Sequence, residues 1–197
     1  MIPEYSPIPD RARPFLDELE NLYREMDRQY YIASTHYAFD CSGCEDNCCL
    51  TRFYHHTLAE FLYLTSAFLK LPPETADEII KKARLAVQTY EKDAPPQRIM
   101  CPLNTDGRCV LYNHRPMICR MHGIPNEMRR PDGITLRGPG CPEFNRRHGK
   151  KEYYTFDRTP FYIKMATIEK NLKTALQLSL KFKKTIAEMI VSIRDGE

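Results

Sequence analysis

The sequence predicts a mainly α, single-domain helical bundle that carries an irregular, cysteine-rich metal-binding segment. Three observations predict it. Apolar residues recur at alternating spacings of three and four near both ends of the chain, as in helices with one buried face. The 197 residues suffice for one good-sized domain and are short for two. All eight cysteines lie in turn-rich stretches outside the predicted long helices.

Pro3, Pro7, Pro9 and Pro14 make residues 1–14 an extended N-terminal arm; residues 15–197 form the domain. A helix over about 15–31 follows, its stripe formed by Phe15, Leu19, Leu22 and Met26. Residues 34–50 read as a loop. Thr57 caps a helix that runs through Leu69, with Glu60 completing a capping box. The Leu71-Pro72-Pro73 break ends it, and a helix over about 74–93 places Ile79, Ile80, Leu85, Ala86, Val87 and Tyr90 inward. Between about 94 and 160, Pro and Gly concentrate and no long apolar period survives, which reads as turns, short helices and one small hairpin. The C-terminus carries Phe161, Met165, Ile168, Leu172, Ala175, Ser179, Phe182, Ile186, Met189 and Ile193, a heptad seam on one long helix of about 160–193. That seam packs either on the stripe of helix 15–31 or on a second copy, giving a homodimer.

No apolar run approaches the roughly 18 residues needed to span a bilayer, so no membrane association is expected. Twelve Tyr, nine Phe and eight Met supply core material and argue against disorder. The Pro-rich start lacks the apolar run of a secretory signal, which predicts a cytoplasmic protein. The net charge of +3 hides an asymmetry. Residues 1–97 carry 10 Lys and Arg against 16 Asp and Glu, whereas residues 98–151 carry 11 against 4. The basic middle either meets an anionic partner or offsets charge within the molecule.

The cysteines bear on that choice. The first group is Cys41, Cys44, Cys48 and Cys49, a CxxCxxxCC cluster; the second is Cys101, Cys109, Cys119 and Cys141. Tight turns let several thiolates converge on one ion, which a regular helix mostly prevents. Adjacent Cys48 and Cys49 cannot chelate one ion with good geometry and therefore point to different sites. Disulfides and free core thiols are the bland alternatives; the first needs an oxidising compartment. Metal ligation by all eight cysteines explains the spacing best. Thiolate-only sets suit an iron–sulfur cluster, chiefly 4Fe-4S, and also tetrahedral zinc. The Cys-Pro steps at Cys101 and Cys141 favour the cluster, and no histidine pair has zinc-finger spacing.

These residues resemble the bacterial and archaeal YkgJ-like cysteine-cluster family, described as zinc- or iron-chelating. The resemblance rests on Cys41-x2-Cys44-x3-Cys48-Cys49, Cys101-Pro102-Leu103, the run Gly107 to Arg120, and Gly140-Cys141, covering about residues 41–142. It implies metal chelation. A likeness to the cysteine clusters of flagellin lysine N-methylases also implies a conceivable protein-modifying activity.

Anionic thiolate sites need nearby positive groups, and Arg108, Arg115 and Arg120 lie within four residues of a cysteine. Arg129-Arg130 and Arg146-Arg147 are the better candidates for an external anionic partner. His55-His56 and His122 are candidate auxiliary ligands, Tyr112, Tyr153 and Tyr154 are expected in the core, and Asp40, Glu45 and Asp46 are expected to face solvent. No nucleophile elbow, P-loop, dinucleotide fingerprint or carboxylate pair is present. The expected function is therefore a metal-binding protein whose iron–sulfur centre is structural, redox-active or the cofactor of an unidentified reaction, with an unidentified protein or small-molecule partner. The alternatives are a zinc-organised interaction module and an enzyme related to the lysine N-methylases.

Overall fold

The computed structural model describes residues 8–41, 48–91 and 98–196. Among these the chain is mainly α, with seven α-helices and two short hairpins. Helix α1 (Arg13–Tyr37) extends the predicted helix at both ends. Pro14 sits in its first turn, where a missing N–H costs nothing. Ala38, in the left-handed conformation at φ 52°, ends it. The arm expected over residues 1–14 is thus helical from Asp10, because Asp10–Ala12 form a 3-10 turn that runs into α1; residues 1–7 lie outside the described residues.

Helix α2 (Leu58–Phe68) starts at Thr57, whose Oγ1 accepts the Glu60 N–H at 3.3 Å. The capping box is only half formed. Glu60 turns its carboxylate into the core, where it accepts from Tyr23 Oη at 3.2 Å and the Met117 amide at 2.7 Å. A residue from far along the chain takes over the helix end: Glu169 accepts the Leu58 and Ala59 amides at 3.0 Å each. Helix α3 (Pro73–Glu91) buries Ile79, Ile80, Ala83 and Ala86. Leu85, expected on that face, is 65% exposed because it falls out of phase with the buried positions.

The middle segment holds more regular structure than expected. Strands β1 (Asn104–Thr105) and β2 (Arg108–Cys109) pair through an Asp106-Gly107 loop. Both loop residues have positive φ, the conformation that a two-residue hairpin turn requires. Helix α4 (Met117–Arg120) follows, then the hairpin of β3 (Asn126–Arg129) and β4 (Thr135–Gly138), then α5 (Pro142–His148).

The long helix expected over about 160–193 is two helices, α6 (Thr159–Leu176) and α7 (Ile186–Asp195). Gln177 adopts the left-handed conformation at φ 56° and stops α6. The heptad count runs numerically through the break, but its halves serve different partners: α6 packs on α1, and α7 on α3. Phe161, Met165, Ile168 and Leu172 are buried in one apolar cluster with α1, whereas Met189 and Ile193 are buried in a second with α3. Helix α2 contributes to both clusters, and Phe61 and Phe182 pack against each. Among the described residues, no helix is long and apolar enough to cross a membrane.

Candidate metal centre

The cysteines sit where the irregular segment meets the two apolar clusters. The Cys101 amide donates to the Cys49 carbonyl at 2.8 Å, which ties the two sequence groups together. The Asn104 amide donates to the Cys101 carbonyl at 2.9 Å, and the β1–β2 register sets Asn104 opposite Cys109. The charges of Cys49, Cys101 and Cys109 all act on Cys119, on α4. Four thiols from three separated segments therefore share one neighbourhood.

Amide N–H groups are directed at these sulfurs. The Leu103 amide bonds to Cys101, the Leu111 amide to Cys109, and the Phe144 amide to Cys141 Sγ at 3.3 Å. Leu103, Leu111 and Phe144 are themselves buried, so apolar packing anchors each donor. Such bonds favour the thiolate. Burial opposes them and prevails: it pushes the Cys101 thiol up to about 12 and raises Cys109 and Cys119 as well. Among the arginines expected to compensate, Arg115 favours the Cys109 thiolate. Arg120 is buried and committed elsewhere, to Asp27 at 2.5 Å, the Arg115 carbonyl at 2.9 Å and the Tyr23 ring at 4.0 Å. Cys48 and Cys49 are hydrogen-bonded to each other, which lowers Cys49 and raises Cys48.

The remaining thiols lie beside α1. Cys41 Sγ is 3.8 Å from Tyr30 Oη, which donates to the His122 carbonyl at 2.9 Å. Cys141 also acts electrostatically on Tyr30. Cys44 lies outside the described residues, as do Glu45 and Asp46. The seven described cysteines are free of disulfides.

A family model described as a putative zinc- or iron-chelating domain, CxxCxxCC, matches residues 40–158. The chain belongs to this family. Its first cluster departs from the name by one residue, with three positions between Cys44 and Cys48. No curated protein and no solved structure matches the chain significantly. The chemistry of the donor set suits the chelating role: clustered thiols with buried amides aimed at sulfur favour a thiophilic metal. Among the described residues, no three His, Cys, Asp or Glu side chains stand close enough to hold an ion as placed.

The other expected participants divide. His55 is buried away from solvent, holds α7's leading segment through paired backbone bonds with Lys184, and is pushed down to about 4 by burial. The His122 ring meets Phe53 edge-on, with ring centres 5.3 Å apart. Tyr112, expected in the core, is 60% exposed and carries the Arg115 guanidinium over its ring at 3.7 Å. Tyr153 and Tyr154 are half-buried, and Asp40 is exposed as expected. Sequence reasoning missed Tyr30, Asn104 and Glu60 as neighbours of the thiols. The Asp106-Gly107 turn signal was the one clue to Asn104, since that turn folds it against Cys109.

Proposed function

We propose that this chelating domain holds an iron–sulfur centre, chiefly 4Fe-4S, through cysteines drawn from Cys41, Cys44, Cys48, Cys49, Cys101, Cys109, Cys119 and Cys141, as a structural, redox or cofactor element. The carrying observation is the meeting of Cys49 with Cys101, Cys109 and Cys119, thiols separated by up to 70 positions in sequence. A polynuclear centre spreads its ligand sulfurs over a larger shell than one zinc ion, whose Zn–S bonds are about 2.3 Å. An all-thiolate donor set suits such a cluster, and the Cys-Pro steps at Cys101 and Cys141 favour it. When bound, the centre would supply positive charge and, as a cluster, an electron-accepting site. The chain's own residues contribute amide donors at Cys101, Cys109 and Cys141 and an apolar surround that restricts water.

An anionic partner would meet the exposed Arg129, Arg130, Arg146 and Arg147. A homodimer through the C-terminal helices would use their outer faces, because Phe161, Met165, Ile168, Leu172, Met189 and Ile193 of the seam are buried within the chain. Purification without oxygen, followed by iron, zinc and acid-labile sulfide assays, tests the proposal. Iron and sulfide in equal amounts with absorbance near 400 nm are expected. Stoichiometric zinc in a colourless sample supports the zinc-organised module instead.

A further inference from the structure

Cys48 and Cys49 adjoin in sequence, yet the thiols on either side of them keep different company. Cys49 is tied to Cys101 through the Cys101 amide bond, Cys109 joins them through the β1–β2 hairpin, and the charges of all three act on Cys119. Cys101 and Cys109 pack against the apolar cluster of α3 and α7. Cys141 packs against the other cluster, that of α1 and α6.

Cys141 has a neighbour of its own. Its amide donates to the Gly123 carbonyl at 2.9 Å. A Cβ on Gly123 would lie 3.7 Å from Cys41 Sγ and 3.0 Å from Tyr30 Oη. Gly123 thus adjoins the Cys141 backbone on one side and the Cys41 thiol on the other, at φ 114°, where a side chain is strained and would crowd Cys41 Sγ and Tyr30. Tyr30 borders both cysteines. Cys48 feels Cys49, Cys119 and Cys41 and so stands at the boundary.

We infer that the thiols serve two separate metal centres: a half-buried one on Cys49, Cys101, Cys109 and Cys119, and a more open one on Cys41 and Cys141 with the Tyr30 hydroxyl at its edge. The inference rests on the metal-binding proposal above and adds to it a division of the ligands. Cys41 is exposed, whereas the four thiols of the first centre are half-buried. The second centre therefore exchanges its metal more readily, taking a thiophilic transition metal with further donors from solvent or from a partner.

The test is metal and sulfide stoichiometry per chain, with electron paramagnetic resonance, on the full chain purified without oxygen. Cys41→Ser and Cys141→Ser are each expected to lose the same fraction of the metal and the same spectral component, and their combination to lose no more. Cys101→Ser and Cys119→Ser lose the complementary fraction, and Cys101→Ser with Cys141→Ser loses both. Tyr30→Phe alters only the component that Cys41→Ser removes. Far-UV circular dichroism establishes that each variant is folded; should Cys101→Ser not fold, the exposed Cys41→Ser still decides, by keeping part of the metal. A folded Cys41→Ser that loses all of the metal, or none, overturns the division while leaving metal binding intact. A wild-type chain without metal or sulfide overturns the metal-binding proposal itself.

Discussion

At Cys101 two effects act on one sulfur: the Leu103 amide favours the thiolate, and burial favours the thiol. Burial wins without a cation, so the residue is arranged for a charge that a metal would stabilise. His55 shows burial acting alone. Its imidazole titrates near 4 in the fold against 6.5 ordinarily. Above 6.5 both the folded and the unfolded forms are neutral and its stabilisation is complete. Between 6.5 and 4 only the unfolded chain takes up the proton, so stability falls as pH falls, by about 3 kcal/mol at most. Urea unfolding at pH 7.5 and pH 5 should show this loss in the wild type and a smaller one in His55→Gln; equal losses would exclude His55 as the source. Gly123→Ala places a methyl against Tyr30 and Phe39 at φ 114°. It should cost at least about 1 kcal/mol, read by urea unfolding, and reduce metal bound by Cys41→Ser-sensitive sites.

Helix ends carry the element-scale lesson. At α7 the capping box is complete: Thr185 Oγ1 accepts the Glu188 amide at 3.2 Å and Glu188 Oε2 accepts the Thr185 amide at 2.5 Å. Thr185→Ala should cost about 1 kcal/mol in thermal or urea unfolding and leave metal content unchanged, with Thr185→Asp restoring most of the loss. At α2 the same sequence pattern, Thr57 with Glu60, yields only the Thr57 half. Burial of Glu60 beside Tyr23 and Met117 redirects its carboxylate, and Glu169 replaces it. Glu169→Gln weakens both amide bonds and the 2.7 Å pairing with Lys173. It should cost about 1–3 kcal/mol, the range for a weakened buried charged hydrogen bond; an unchanged urea midpoint would refute the capping role. The seam of 160–193 teaches the opposite caution. Its spacing marked buried residues in both α6 and α7, Phe161, Met165, Ile168, Leu172, Met189 and Ile193, but missed Ala187 and Ile190, and spacing persists across a break whose length preserves the count.

Across the whole molecule, α2 joins two apolar clusters; Cys101 and Cys109 pack against one and Cys141 against the other. A metal held there would bind the folded arrangement and not the unfolded chain, so its binding energy adds to stability. Stripping the metal under reducing conditions should lower the melting temperature, and reloading should restore it; an unchanged melting curve would remove the metal from the folding balance. Thiols release protons as they ligate, so apparent metal affinity should rise from pH 6.5 to pH 8, measured by competition with a chelator of known affinity.

Composition and local pattern were enough to determine the helical class, the stripe of α1, the Thr57 cap and the chemistry of eight thiols, because each depends on neighbours within a few positions. Which thiols meet, where Glu60 points and how α6 and α7 part were decided only in three dimensions. Those outcomes depend on contacts between residues as distant as Leu58 and Glu169, whose pairing no local spacing encodes.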